Sequence, residues 1–167
     1  MLNRYTLAGL AALFLLAVLY LLHTSEEDRI LERLEQIRAL GEIRTQETGI
    51  EQLAKARQIG QSFSEQTLFD LSQAGYGILE IGSRDELVRR IIRGRARLVS
   101  LELALQDVQV NIEDDTAEVR LQGSGLGLIR GEHDPFLEIH SVVVLLHKDA
   151  DTWRVTGARH LHDERQP

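Results

Sequence analysis

From Thr6 to Leu22 the chain reads TLAGLAALFLLAVLYLL, without a single charge. A helix crosses the hydrocarbon layer with roughly 17–25 apolar residues, so this run is just long enough to span a bilayer. Tyr5 and Tyr20 stand near its ends, where amphipathic rings favour the headgroup level. Arg4 and the α-amino group precede the run, and Glu26, Glu27 and Asp28 follow it. The basic end stays inside, so the rest of the chain is expected outside. In a Gram-negative cell this predicts a single-pass inner-membrane protein with its C-terminal domain in the periplasm. A cleaved signal needs small residues before the cut. Leu21-Leu22-His23-Thr24-Ser25 is bulky there, which favours an uncleaved anchor. A buried core helix fits less well, because the run has no polar face.

The expected organisation is an anchor at 1–25, one domain at 26–161 and a polar tail at 162–167. A net charge of -7 makes the chain a poor polyanion binder and argues against nucleic acid as a partner. It has no cysteine, which excludes disulfides, thiol nucleophiles, zinc–thiolate sites and lipoprotein acylation.

Within the domain, Ser25 caps an expected helix to about Leu40, with acids in its first turn and Ile30, Leu34 and Ile37 at helical spacing. A second helix is expected at about 50–61. Phe63, Leu68, Phe69 and Leu71 form an apolar cluster, and 76–81 reads as a short strand. Ser83 and Glu86 have capping-box spacing, opening a helix to about Arg97. The period then changes to two. Val99, Leu101, Leu103 and Leu105 share one parity; Val108, Val110 and Ile112 share the other. A one-residue slip between runs on one face predicts a bulge near Gln106-Asp107. Further strands are expected from Ala117, at 137–147, and from Thr152 to about His160. Gly123, Gly125 and Gly127 lie inside a strand pattern, where they allow curvature rather than cradle phosphate.

Helices followed by long bulged strands make an α+β plan. Four segments carry a resemblance: Phe63 to Leu71, Gly82 to Leu87, Asp107 to Val110, and Asp151-Thr152-Trp153-Arg154-Val155. Together they resemble the nuclear transport factor 2-like (cystatin-like) superfamily over roughly residues 26–161. The resemblance implies a cone of helices packed on a curved antiparallel sheet, with a pocket between them. Its members include isomerases, dehydratases, small-ligand binders and structural dimers, so the fold alone selects no activity.

Enzymes of that superfamily pair a pocket Asp or His with an oxyanion partner. Here Asp70, Tyr76 and His140 are the candidates, but Leu71 stands where the isomerases carry a carboxylate. Asp70 as a turn cap and Tyr76 as a packed ring are the blander readings. His160 and His162, two apart, do not make a metal site without a third ligand, and no metal or cofactor is expected. Arg89, Arg93 and Arg97, spaced by four within a run that includes Arg84, Arg90 and Arg95, line one helix stripe. This stripe is either a solvated face paired with nearby acids or a docking surface. Val142, Val144 and Leu146 look too apolar for a wet strand face, which suggests a homodimer or envelope-protein contact. The resulting expectation is a membrane-tethered, non-catalytic interaction module. The alternative is a small-ligand binder or isomerase-like enzyme using the cone pocket.

Overall fold

The computed structural model describes residues 25–75 and 77–161. The expected anchor at 6–22, Tyr76 and His162 lie outside them. Among the described residues, no helix is long and apolar enough to cross a membrane.

The described residues begin with α1 (Glu26–Gly41) and α2 (Gly49–Gln61), each opened by a capping box. Ser25 Oγ accepts from Asp28 N at 3.1 Å while Asp28 Oδ2 accepts from Ser25 N at 3.2 Å. Thr48 and Glu51 repeat the arrangement for α2. After α2 come β1 (Phe63–Leu71), a short 3-10 turn, β2 (Gly77–Ile81) and α3 (Arg84–Arg95). Ser83 caps α3 through Glu86 N. The Glu86 side chain reaches Gly82 N rather than Ser83 N, so only half of the expected box forms. Four long strands complete the chain: β3 (Leu98–Glu113), β4 (Thr116–Ile129), β5 (Phe136–Asp149) and β6 (Thr152–His160).

The strands form one sheet in the order β2-β1-β6-β5-β4-β3. The Phe63 to Leu71 cluster is thus a full strand, and β1 runs parallel to β6. This corrects the antiparallel expectation: the β1–β2 hairpin docks on the free edge of the last strand, and the sheet is mixed. The bulge falls where the phase slip predicts. Gln106 pairs with Gln122, and the next pair is Gln109 with Arg120, leaving one extra residue in β3. Asp107 takes a φ of 51° there, which re-aims the strand.

The sheet curls around the helices. Ile30 and Leu34 of α1, Ile59 of α2 and Leu87 of α3 meet Val119, Leu121, Leu146, Trp153 and Val155 of the sheet. Each such side chain contributes about 1.5–3 kcal/mol when fully buried. Leu146 is 2% exposed, and Val142 and Val144 pack against the same core. Their parity therefore faces inward, and they do not form the exposed apolar strand face expected from sequence. The alternation is ambiguous because both faces of β5 carry aliphatic residues.

Two polar locks fix α1. At its start, Trp153 Nε1 donates to Glu26 Oε2 at 2.7 Å, and Lys148 Nζ lies 3.2 Å from Glu26 Oε1. At its end, the Arg95 guanidinium donates to the carbonyls of Leu40, Gly41 and Glu42 at 3.0–3.1 Å. The last carbonyls of a helix have no partner within the helix, so Arg95 supplies what the fold would otherwise leave unsatisfied.

Candidate functional site

The helices do not cover the whole concave face. Beyond the C-terminal half of α1 a groove of about 380 Å³ opens between β3, β4 and β5. Leu101, Leu103 and Leu105 form one wall and Phe136 and Val142 the other, with Gly123 and Gly125 between them. The glycines leave the middle strand without side chains. A Cβ on Gly125 would meet Leu103 and Leu101 at 3.6 and 3.7 Å, ordinary contact distances, so a side chain there would extend into the groove beside the two leucines. Gly127 differs: the Phe136 ring would lie 2.6 Å from its Cβ, so the aromatic ring occupies that position.

The polar groups of the groove are Arg38, Glu138 and His140. Arg38 is fully engaged. It donates to both Glu35 carboxylate oxygens at 2.6–2.9 Å, to Glu42, and to Leu103 O at 2.9 Å. The Glu35 hydrogen bond, more than any other group, raises the Arg38 pKa further and keeps it a fixed cation. His140 is engaged as well. Its Nε2 lies 3.3 Å from Glu138 Oε2, and its Nδ1 lies 3.1 Å from His160 Nε2. Both ring nitrogens of His140 therefore have a partner within the protein.

Of the candidate catalytic residues, Asp70 and His140 are not brought together. Phe69 packs on the core, so Asp70, its neighbour in β1, points to the opposite face of the sheet from His140. Asp70 Oδ1 accepts from Ser72 N at 3.0 Å, and this turn-capping contact with Ser72 holds its carboxyl below the usual range. His160 partners His140. Among the described residues, no group of three His, Cys, Asp or Glu is placed to hold a metal.

Arg89, Arg93 and Arg97 are exposed, and Arg93, Arg97 and Leu79 line a smaller groove of about 340 Å³. The arginine run divides: Arg90 pairs with Glu86 at 2.8 Å, Arg84 with Glu65 at 3.0 Å, and Arg95 is buried. Sequence reasoning passed over Arg38 and the Glu138–His140 pair. Glu138 and His140 stand two apart on a strand, which places them on one face and was readable. His160 joins only through the β5–β6 register, in which Val142 pairs with His160.

No protein-family model and no curated protein matches the sequence. Solved structures do match. A nuclear transport factor 2-like protein with a cystatin-like fold from Novosphingobium aromaticivorans is 16% identical, with a TM-score of 0.60, covering 99% of this chain and 94% of that one. A scytalone dehydratase-like protein from the same organism is 10% identical, with a TM-score of 0.65, covering 81% and 82%. A type 2 hexachlorocyclohexane dehydrochlorinase is 6% identical, with a TM-score of 0.63, covering 81% and 83%. At these identities the likeness concerns architecture alone, and it establishes that this chain has the nuclear transport factor 2-like, cystatin-like fold.

Proposed function

We propose that the chain is a membrane-tethered, non-catalytic binding module whose open concave groove takes a small, neutral, mostly apolar ligand. The observation that carries this reading is the glycine-floored, mainly apolar groove in which Arg38 and His140 already have hydrogen-bond partners within the protein. Its volume is in the range of ligand sites, which are mainly apolar with a few placed polar groups. A charged ligand would have to displace Glu35 or Glu42 from Arg38. A proton-transfer reaction would have to break the Glu138–His140–His160 chain. Structural neighbours that are enzymes support the pocket's capacity for small molecules, while the engaged histidine favours binding over turnover. The tether is supported by the charge-free run at 6–22 and the acids that follow it.

The test uses N-phenyl-1-naphthylamine, a neutral apolar fluorophore, with the detergent-free chain in lipid nanodiscs, after subtraction of the signal from empty discs of the same lipid, into which the dye partitions. Saturable enhancement is expected, and Gly125→Val or Val142→Phe should weaken it at least tenfold while the far-UV circular dichroism is retained. Enhancement that survives both substitutions sinks the reading.

A second reading concerns self-association. Leu126 and Leu137 face each other across β4 and β5 and, with Ile139, are 45%, 64% and 55% exposed on the outer sheet face. Such a patch favours a second copy of the chain over solvent. Leu137→Lys with Ile139→Lys should convert a dimer to a monomer by sedimentation; a wild-type monomer at high micromolar concentration removes the idea.

A further inference from the structure

We infer that His140 of β5 and His160 of β6 form a two-imidazole site for a divalent, late first-row transition-metal ion at the rim of the concave groove. The site depends on neither the membrane tether nor the ligand assigned to the groove.

Both rings stand on the concave face. Val142, Val144 and Leu146 pack toward the core, and His140 shares their parity on β5. On β6, Ala158 pairs with Val144 and His160 with Val142, so His160 lies on that face too. The two histidines are therefore diagonal neighbours on adjacent strands, within reach of ring side chains. His140 Nδ1 and His160 Nε2 are 3.1 Å apart, and the rings meet edge-on with centroids 5.2 Å apart.

Two nitrogens that share a metal ion have a separation fixed by the bond length and the angle at the metal. Bonds of about 2.0–2.1 Å, at angles from about 90° to about 109°, put them about 2.8–3.4 Å apart. The observed 3.1 Å lies inside that interval. An ion can replace the hydrogen between the rings with a turn of the side chains and no movement of either strand. A metal-bound histidine usually gives its other ring nitrogen to a carboxylate or carbonyl, which orients the ring. Glu138 Oε2, 3.3 Å from His140 Nε2, is placed for that role.

Charge and access favour a cation here. Arg38, which lines the same groove, is bound by Glu35 and Glu42, and Glu138 adds a third carboxylate. The His140 side chain is 46% exposed, so solvent reaches it. Among the described residues no third His, Cys, Asp or Glu completes a metal-binding group. The ion's remaining positions are thus open to water or to a donor atom of a molecule in the groove. Imidazole ligands suit copper, nickel and zinc, whereas magnesium and calcium take oxygen. The competing account is a hydrogen-bonded pair that only joins β5 to β6. Backbone pairing already joins these strands from Val142 to Asp149, so their register does not need the ring contact.

The full, untagged chain in phosphatidylcholine nanodiscs, with empty discs subtracted, is titrated with Zn²⁺ against a chromophoric chelator. Wild type should take up the ion. His140→Gln and His160→Gln should each weaken uptake at least tenfold with far-UV circular dichroism unchanged. A control, His133→Gln/His147→Gln, should change it less than twofold. Cu²⁺ on wild type should show the electron spin-echo modulation of two imidazoles, and either single substitution should abolish that pattern. Glu138→Gln should lower affinity about tenfold yet keep the two-imidazole pattern, as a residue that positions a ligand does. Absence of uptake by wild type overturns the proposal, and so does equal loss in the control. Loss in only one of the two single variants also overturns it. If His160→Gln and His162→Gln lose the ion while His140→Gln keeps it, the ion belongs to the C-terminal tail.

Discussion

Arg95 and Glu47 meet at 2.7 Å although 48 positions separate them, and their side chains are only 5% and 6% exposed. Lys55 reaches the other Glu47 oxygen. The pair ties the end of α3 to the loop between α1 and α2, and Arg95 closes the end of α1 in the same stroke. Arg95→Ala should cost about 3–5 kcal/mol, because three carbonyls lose their donor and the buried Glu47 carboxylate loses one of its two cationic partners. Arg95→Met with Glu47→Leu should recover most of that loss, since removing both charges removes the desolvation cost. Urea unfolding of wild type and the two variants measures this. A double variant no better than Arg95→Ala would mean that the carbonyl contacts, not the ion pair, dominate.

The same site predicts an acid limb. Burial pushes the Glu47 carboxyl up, but hydrogen bonds from Lys55, Arg95 and the Arg44 backbone outweigh it and hold the group below its ordinary value. A carboxyl depressed by folding stabilises fully above its unfolded pKa, and that stability is lost as pH falls through the folded pKa. Stability should therefore fall below about pH 4.3. Glu47→Gln should be less stable at pH 7 and show a shallower decline into acid. Glu26, Glu35, Glu51 and Glu86 shift in the same direction but are more exposed, so solvent screens their share. Parallel melting-temperature curves for wild type and Glu47→Gln across pH 3–7 would contradict this assignment.

Gly157 marks the joint between the early hairpin and the last strand. A Cβ there would fall 2.4 Å from Leu68 O, a backbone atom that cannot turn aside. Gly157→Ala should cost about 1–3 kcal/mol, as overpacking does. The loss should concentrate in β1 and β2, where amide exchange would accelerate relative to β3 and β4. Uniform protection after the substitution would show that the parallel pairing tolerates the shift.

At the bulge, Asp107 holds a left-handed backbone with φ of 51°. Replacing it by Val should cost about 1–2 kcal/mol, whereas Asp107→Gly should be near neutral because glycine enters that region freely. Chemical denaturation of both variants compares them directly. Equal losses would indicate that the aspartate side chain, not its dihedral, matters.

Much of this molecule was readable along the chain because it rests on local rules. Ser25 and Ser83 announce helix starts through side chains that reach three residues ahead. The parity change between Leu105 and Val108 encodes the bulge, because side chains alternate strictly on a strand. The alternation Ala117, Val119, Leu121 names the core face of β4. What tertiary structure alone decided is where partners come from distant positions. Val142, Val144 and Leu146 read as an outer face until the sheet's curl turned them inward, since two aliphatic parities look alike in one dimension. Asp70 and His140 were candidates for one site until the strand order put them on opposite faces. Arg95 was one arginine in a run of six until burial made it the cap of α1, and His140 looked free until the register of β6 delivered His160 to its ring. Periodicity is a property of neighbours along the chain; sidedness, partnership and desolvation come from neighbours across it.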